Sequence, residues 1–318
     1  MSKRLSILAA CLAALTLSCG SPKKASTPLT RDFPMAEIPM MITTTPERMI
    51  WLSQFFWNPF TATDSLYFCD SLTVNGVTLE NLEKQMGIFA SLLQQVPLAD
   101  GKHAMTRFWE RLDAFQRTYP QGNVLPQTVA LASRYFYDPN SPVRSEDLYL
   151  PFVSALATSD LIDPAYRMGY EWDARMCALN SIGTSAADFA FIDSDGHRRT
   201  LYGIKARRVL LIFGNPDCHA CKELMEQMER YPEIGDMIDG GDLQVVDIYI
   251  DQEIELWKQQ KDSYPAKWIN GYDPSYTIRQ DLVYNVRAIP SLYLLDQDKK
   301  VLLKDALPEQ VLGALLRN

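Results

Sequence analysis

Between Met35 and Ile182, apolar residues recur at three- and four-residue steps, the period of helices that bury one face. Thr44-Thr45-Pro46-Glu47 predicts a first helix, with Thr44 and Glu47 as a capping box and Pro46 in the first turn. It carries Ile50, Trp51, Leu52, Phe55 and Phe56, and with Trp57 these aromatic residues form a stripe expected in a core. A second helix starts at Thr78 and runs through Leu79, Leu82, Met86, Phe89, Leu92, Leu93 and Val96 to Pro97. Further helices are predicted over 102–119 and 126–137, the latter broken by Asp138-Pro139-Asn140-Ser141-Pro142. A fifth is capped by Ser145-Glu146-Asp147, and a sixth opens at Asp163-Pro164 and reaches about Leu179. Six helices with short links predict an all-α domain over residues 36–182.

After Gly183 the period changes to that of strands. Residues 189–192 and 200–202 flank the turn Asp193-Ser194-Asp195-Gly196, and 208–213 is a continuous apolar run that predicts a buried strand. A helix over 218–231, a strand over 243–250 and a helix over 253–261 follow. Residues 291–295 and 300–303 predict a hairpin, and 308–316 a closing helix. The fold class is therefore α+β in two domains: all-α first, then an α/β unit over 185–318.

The 318 residues suit two domains. A net charge of −8 without a basic cluster weighs against a nucleic-acid partner. At the N-terminus, Lys3 and Arg4 precede the apolar run Leu5 to Leu17, too short to span a bilayer. With Thr16-Leu17-Ser18-Cys19-Gly20 it resembles a bacterial lipoprotein signal, although Thr16 stands where such signals usually have Leu. That resemblance implies removal of residues 1–18, lipidation of Cys19 and anchoring in the cell envelope, facing the periplasm, with the outer membrane the expected site. Residues 19–35 are polar, hold Pro22, Pro28 and Pro34, and read as a flexible spacer.

Outside the cytoplasm, a Cys-x-x-Cys is either a stable disulfide or a working redox couple. Cys218-His219-Ala220-Cys221 closes too small a loop to add much stability as a staple. It follows a strand and a turn, Gly214-Asn215-Pro216-Asp217, and opens a helix. Cys218, His219 and Cys221 lack further ligands at metal-binding spacing, and His103 and His197 read as surface residues, so no metal or cofactor is expected. Cys69 and Cys177 read as separate buried core thiols, with a disulfide between them as the alternative. Asp251 and Glu253, just after a strand, are candidates to assist proton transfer.

Residues 185–318 resemble the TlpA/ResA-like thioredoxin-fold proteins of the bacterial envelope. The resemblance rests on Ala187-Asp188-Phe189, on the strand into Asn215-Pro216-Asp217-Cys218-His219-Ala220-Cys221, on Tyr249-Ile250-Asp251, and on Tyr284 to Asp296, which contains Val286-Arg287-Ala288-Ile289-Pro290. Residues 36–182 resemble a helical domain of unknown function that precedes such domains, through Phe55 to Phe60 and Tyr137 to Pro142. The first resemblance implies a thiol–disulfide oxidoreductase with Cys218 as nucleophile and Cys221 as resolving thiol. It implies a cis bond before Pro290, with the Ile289 backbone pairing with an extended substrate, and disulfide-containing envelope proteins plus an upstream electron donor as partners. Asp217 and His219 would modulate the thiolate in opposite senses. Two positions depart from the pattern: Asp217 replaces a frequent Trp, and Ile212 stands where many thioredoxins carry a buried acid, so the usual proton acceptor is missing. A dithiol oxidase or isomerase, and a binding lipoprotein with an idle dithiol, stay open as alternatives.

Overall fold

The structure is a computed structural model and describes residues 30–65 and 67–317. The expected signal segment and Cys19 lie outside the described residues. The first domain is built from α1 (Thr45–Phe55), α2 (Leu79–Leu93), α3 (Leu98–Thr118), α4 (Val124–Phe136), α5 (Glu146–Thr158) and α6 (Pro164–Ala178). Thr78, Ser145 and Asp163 cap α2, α5 and α6 by accepting backbone N–H groups of Asn81, Leu148 and Ala165. At α1 the capping box does not form: the Thr44 hydroxyl donates to the Glu47 carboxylate at 2.6 Å and takes no backbone N–H.

The expected all-helical domain also carries a short hairpin, β1 (Thr73–Val74) and β2 (Val77–Thr78). Its turn is Asn75-Gly76, both with positive φ (48° and 81°), the backbone that such a pair supplies in a two-residue hairpin. The helices close on a core of Phe56, Trp57, Phe89, Phe108, Phe136 and Phe152. Trp51 and Phe55 stack on one another at its edge. Folded structure begins before the expected spacer ends at residue 35. Phe33 stacks on Phe60 at 5.3 Å, and Arg31 donates to the carbonyls of Asn75 and Phe60.

The second domain follows as β3 (Ala190–Asp193), β4 (Arg198–Thr200), β5 (Arg208–Gly214), α7 (His219–Glu229), α8 (Pro232–Asp239), β6 (Leu243–Tyr249), α9 (Ile254–Gln260), β7 (Ile269–Tyr272), α10 (Thr277–Gln280), β8 (Ser291–Asp296), β9 (Val301–Leu303) and α11 (Pro308–Leu316). The strands form one sheet in the order β4-β3-β7-β6-β5-β8-β9. β5, β6 and β7 are mutually parallel and the remaining neighbours antiparallel. β5 is central, so its alternate residues serve two cores. Val209, Leu211 and Phe213 pack with Phe189, Tyr284 and Tyr293 on one face, and Leu210 and Ile212 pack under α7, α8 and α11 on the other.

Three elements escaped the hydrophobic pattern: α8, β7 and the four-residue α10. Pro232 starts α8 as a separate helix, so the expected helix over 218–231 ends at Glu229. β7 reads Ile-Asn-Gly-Tyr, with no alternation of apolar residues. Asn270 is nevertheless buried, because its side chain accepts from Trp257 Nε1 at 2.9 Å. Gly271 lets β3 approach: a Cβ there would stand 2.7 Å from the Ile192 carbonyl oxygen and 2.8 Å from the Phe191 ring. Gly271→Ala is therefore expected to cost about 1–3 kcal/mol. A urea midpoint equal to that of the wild type would refute this.

Candidate active site

Cys218 and Cys221 lie at the junction of β5 and α7, with Cα atoms 5.2 Å apart and their sulfurs joined as a disulfide. Three local features hold the junction. Asn215 bends the chain, its carbonyl accepting from Cys218 N–H at 3.0 Å and its side-chain oxygen from Asp217 N–H at 2.9 Å. Cys218 is the N-cap of α7, and its Sγ accepts the Cys221 N–H at 3.2 Å. The first turn of a helix carries unpaired N–H groups and the positive end of the dipole, so negative charge on Cys218 is favoured in the reduced state. Cys218 is half-buried and Cys221 buried, which exposes the first sulfur to a substrate and shields the second.

The Ile289–Pro290 peptide is cis. The Ile289 carbonyl oxygen lies 3.8 Å from Cys218 Sγ, which brings residues 71 positions apart to one place. Asp217 is exposed and accepts from Gln260 at 2.8 Å. His219 is also exposed, with Nε2 3.1 Å from Glu223.

Asp251 and Glu253, the candidates for proton transfer, follow β6 and have other surroundings. Asp251 is occupied in bracing the turn, accepting from Asn215 at 2.8 Å and from Arg279 at 2.8 Å. Glu253 points to solvent. His103 and His197 are exposed. Among the described residues, the one group of three metal-ligand types is Asp193, Asp195 and His197, in the β3–β4 turn and remote in sequence from the cysteines. Cys177 is buried as expected, but Cys69 is exposed, because residues 67–72 run as an irregular surface segment and not as a helix.

A buried acid absent from the expected position is supplied by the adjacent strand. Asp247 is 2% exposed and Oδ1 has no hydrogen-bond partner. Register places it beside Ile212 on β5. Leu243 and Val245 of β6 face α7, so Asp247 faces it too, by the two-residue period. α7 returns between parallel strands and so runs opposite to them. Its buried residues Met228, Leu224 and Cys221 therefore climb the sheet toward Gly214 and Asp247. Gly214 leaves the carboxyl its space, since a Cβ there would lie 3.2 and 3.3 Å from the two Asp247 oxygens. Desolvation pushes the Asp247 carboxyl up to about 8. Burial, then the Asp247 carboxyl, also pushes the nearby Tyr264 phenol up. An acidic residue inside the apolar run Leu243 to Ile250 was the available sequence signal.

Comparison with known proteins gives a consistent assignment. A family model described as a domain of unknown function (DUF5106) matches residues 11–177, and one described as a thioredoxin-like domain matches residues 196–318. No curated protein matches the chain. Among solved structures, a thioredoxin-like protein from Bacteroides caccae is 30% identical with a TM-score of 0.77, covering 90% of this chain and 98% of its own. The C-terminal domain of an uncharacterized protein from Bacteroides fragilis is 40% identical, over 43% of this chain and 99% of its own, with a TM-score of 0.42. The thioredoxin domain of a thiol-disulfide oxidoreductase from Bacteroides vulgatus is 20% identical, over 42% and 98%, with a TM-score of 0.37. The chain belongs to the family that joins a DUF5106 helical domain to a C-terminal thioredoxin-like domain.

Proposed function

We propose that the protein is a thiol–disulfide oxidoreductase of the bacterial cell envelope, which reduces disulfides of envelope proteins through Cys218 and Cys221. The reading is carried by the cysteine pair at the N-terminus of α7, facing the Ile289 carbonyl across 3.8 Å. The lipoprotein-like N-terminus supports anchoring through Cys19, with the folded domains facing the periplasm, most simply at the outer membrane. An upstream electron donor returns the pair to the dithiol.

In the first step the Cys218 thiolate attacks one sulfur of the substrate disulfide. A mixed disulfide forms and the other substrate sulfur leaves as a thiolate. Ile289 offers its backbone to the extended substrate segment, aligning the attacked bond. In the second step Cys221 attacks Cys218 Sγ and gives its proton to Asp247 in the ionised fraction of that carboxyl, a fraction that grows as pH rises toward 8. The reduced substrate departs and the Cys218–Cys221 disulfide remains. Asp247 suits the exchange because its affinity for a proton is close to that of a cysteine thiol, about 8.5.

The test is the reduction potential of the cysteine pair in the full chain, equilibrated in thiol redox buffers. A value near or below about −230 mV is expected, in the range of reductases fed by a donor. A value above about −180 mV would reassign the protein as an oxidase or isomerase. A pair that never forms its internal disulfide would leave a binding lipoprotein.

A further inference from the structure

The segment from Val283 to Pro290 has no regular secondary structure. Its place against Cys218 is set by side chains at its ends and middle, and several come from the helical side of the molecule. Asn180, just after α6, donates to the Val283 carbonyl at 2.7 Å. Asn285 and Arg287 both donate to Glu146 Oε1, at 2.6 and 2.9 Å. Arg287 also donates to Asp305 at 2.9 Å, and Asp305 accepts from Ser291, the residue after Pro290, at 3.1 Å. Its guanidinium lies 4.2 Å from the centre of the Tyr137 ring.

Glu146 is the hub of this arrangement. It stands in the first turn of α5 with no exposed side-chain surface, and Lys304 Nζ lies 2.8 Å from its other oxygen. A buried ion cluster is a poor source of net stability, because desolvation offsets much of the attraction. It does fix geometry, since each partner is costly to strand in the interior. The loop residues it holds are Asn285 and Arg287, and Arg287 in turn bridges to Asp305, which accepts from Ser291 at the start of β8. Arg287 is two residues from Ile289, so a shift of Arg287 moves the carbonyl that faces Cys218.

We propose that the helical domain is a structural part of the exchange site, and that Glu146 acts as a positioning residue for the loop ending in Pro290. The anchoring stands by itself; its consequence for substrate rests on the function proposed above. The test compares Glu146→Gln with the wild-type full chain in three assays. Trypsin cleavage after Arg287 reads the loop, and cleavage after Arg208, inside β5, reads opening of the domain. Insulin reduction reads docking, and iodoacetamide alkylation of reduced Cys218 reads the thiolate without docking.

Cleavage after Arg287 is expected to rise about tenfold or more with cleavage after Arg208 unchanged. KM for insulin should rise by a similar factor, with alkylation within about twofold of wild type. Equal acceleration at both arginines, or at neither, would overturn the proposal, because Glu146 would then support only the fold or nothing near the loop. So would a loosened loop that leaves insulin reduction untouched. A wild-type chain that reduces no insulin would instead count against the proposed function, while the cleavage pattern still decides the anchoring. Should Glu146→Gln not fold, Glu146→Asp keeps the carboxylate charge beside Lys304 but shortens its reach to Asn285 and Arg287, and carries the same readouts.

Discussion

Cys218→Ser is expected to bring disulfide reduction down to the uncatalysed background, whereas Cys221→Ser should stop after the first step. The reason lies in the unequal places of the two sulfurs. Cys218 is half-buried at the N-cap of α7 and is the sulfur a substrate can meet, whereas Cys221 is enclosed beneath it. Without Cys218 no mixed disulfide forms. Without Cys221 the mixed disulfide has no internal attacker and accumulates as a covalent adduct, released by added thiol. Non-reducing gels and mass spectrometry of each variant after exposure to insulin would report the outcome. Turnover by Cys218→Ser at the wild-type rate would sink the assignment of the nucleophile.

Asp247→Asn should make the oxidised protein more stable while slowing the second step. The Asp247 carboxyl holds its proton up to about pH 8 in the folded chain, against an ordinary value near 3.9 when unfolded. Between these values the folded state binds more protons than the unfolded state, so stability falls as pH rises. The burial is harmless below about pH 4 and costs about 1.4 kcal/mol per unit above it, up to roughly 4 kcal/mol at pH 7. The asparagine variant carries no such charge. Its advantage in urea unfolding should be near zero at pH 4, grow steadily to pH 8 and then level off. A stability difference independent of pH would refute the buried-carboxyl account. Single-turnover resolution of a mixed disulfide should slow by roughly 10²-fold, the usual weight of a positioned acid or base. Its pH dependence near 8 should disappear with the carboxyl.

These two predictions draw on different distances along the chain. The Cys218–Cys221 pair was legible because its geometry is local: a strand, a turn and a helix start, all within residues 208–221. The helices of the first domain were legible for the same reason, since their caps and apolar spacing act over three or four residues. Departures occurred where a local rule was outweighed. The Asn75-Gly76 turn folded a hairpin between two strongly helical stretches. β7 formed because the sheet pairs it on both sides, despite a sequence without strand character.

By itself, then, the sequence determined the two-domain α+β architecture, the six helices, and the βα junction with its pair of cysteines, because each is written in spacings of a few residues. Only the tertiary structure decided which acid would be buried beside Ile212 and Gly214 and what would hold the Pro290 loop. The parallel pairing of β5 with β6 puts Asp247 beside Ile212, 35 residues away, where neither residue alone announces the other. Glu146 reaches Arg287 across 141 residues. Such partners are chosen by how strands and helices stack, and a buried charge acquires its proton affinity and its partners from that stacking rather than from its neighbours in sequence.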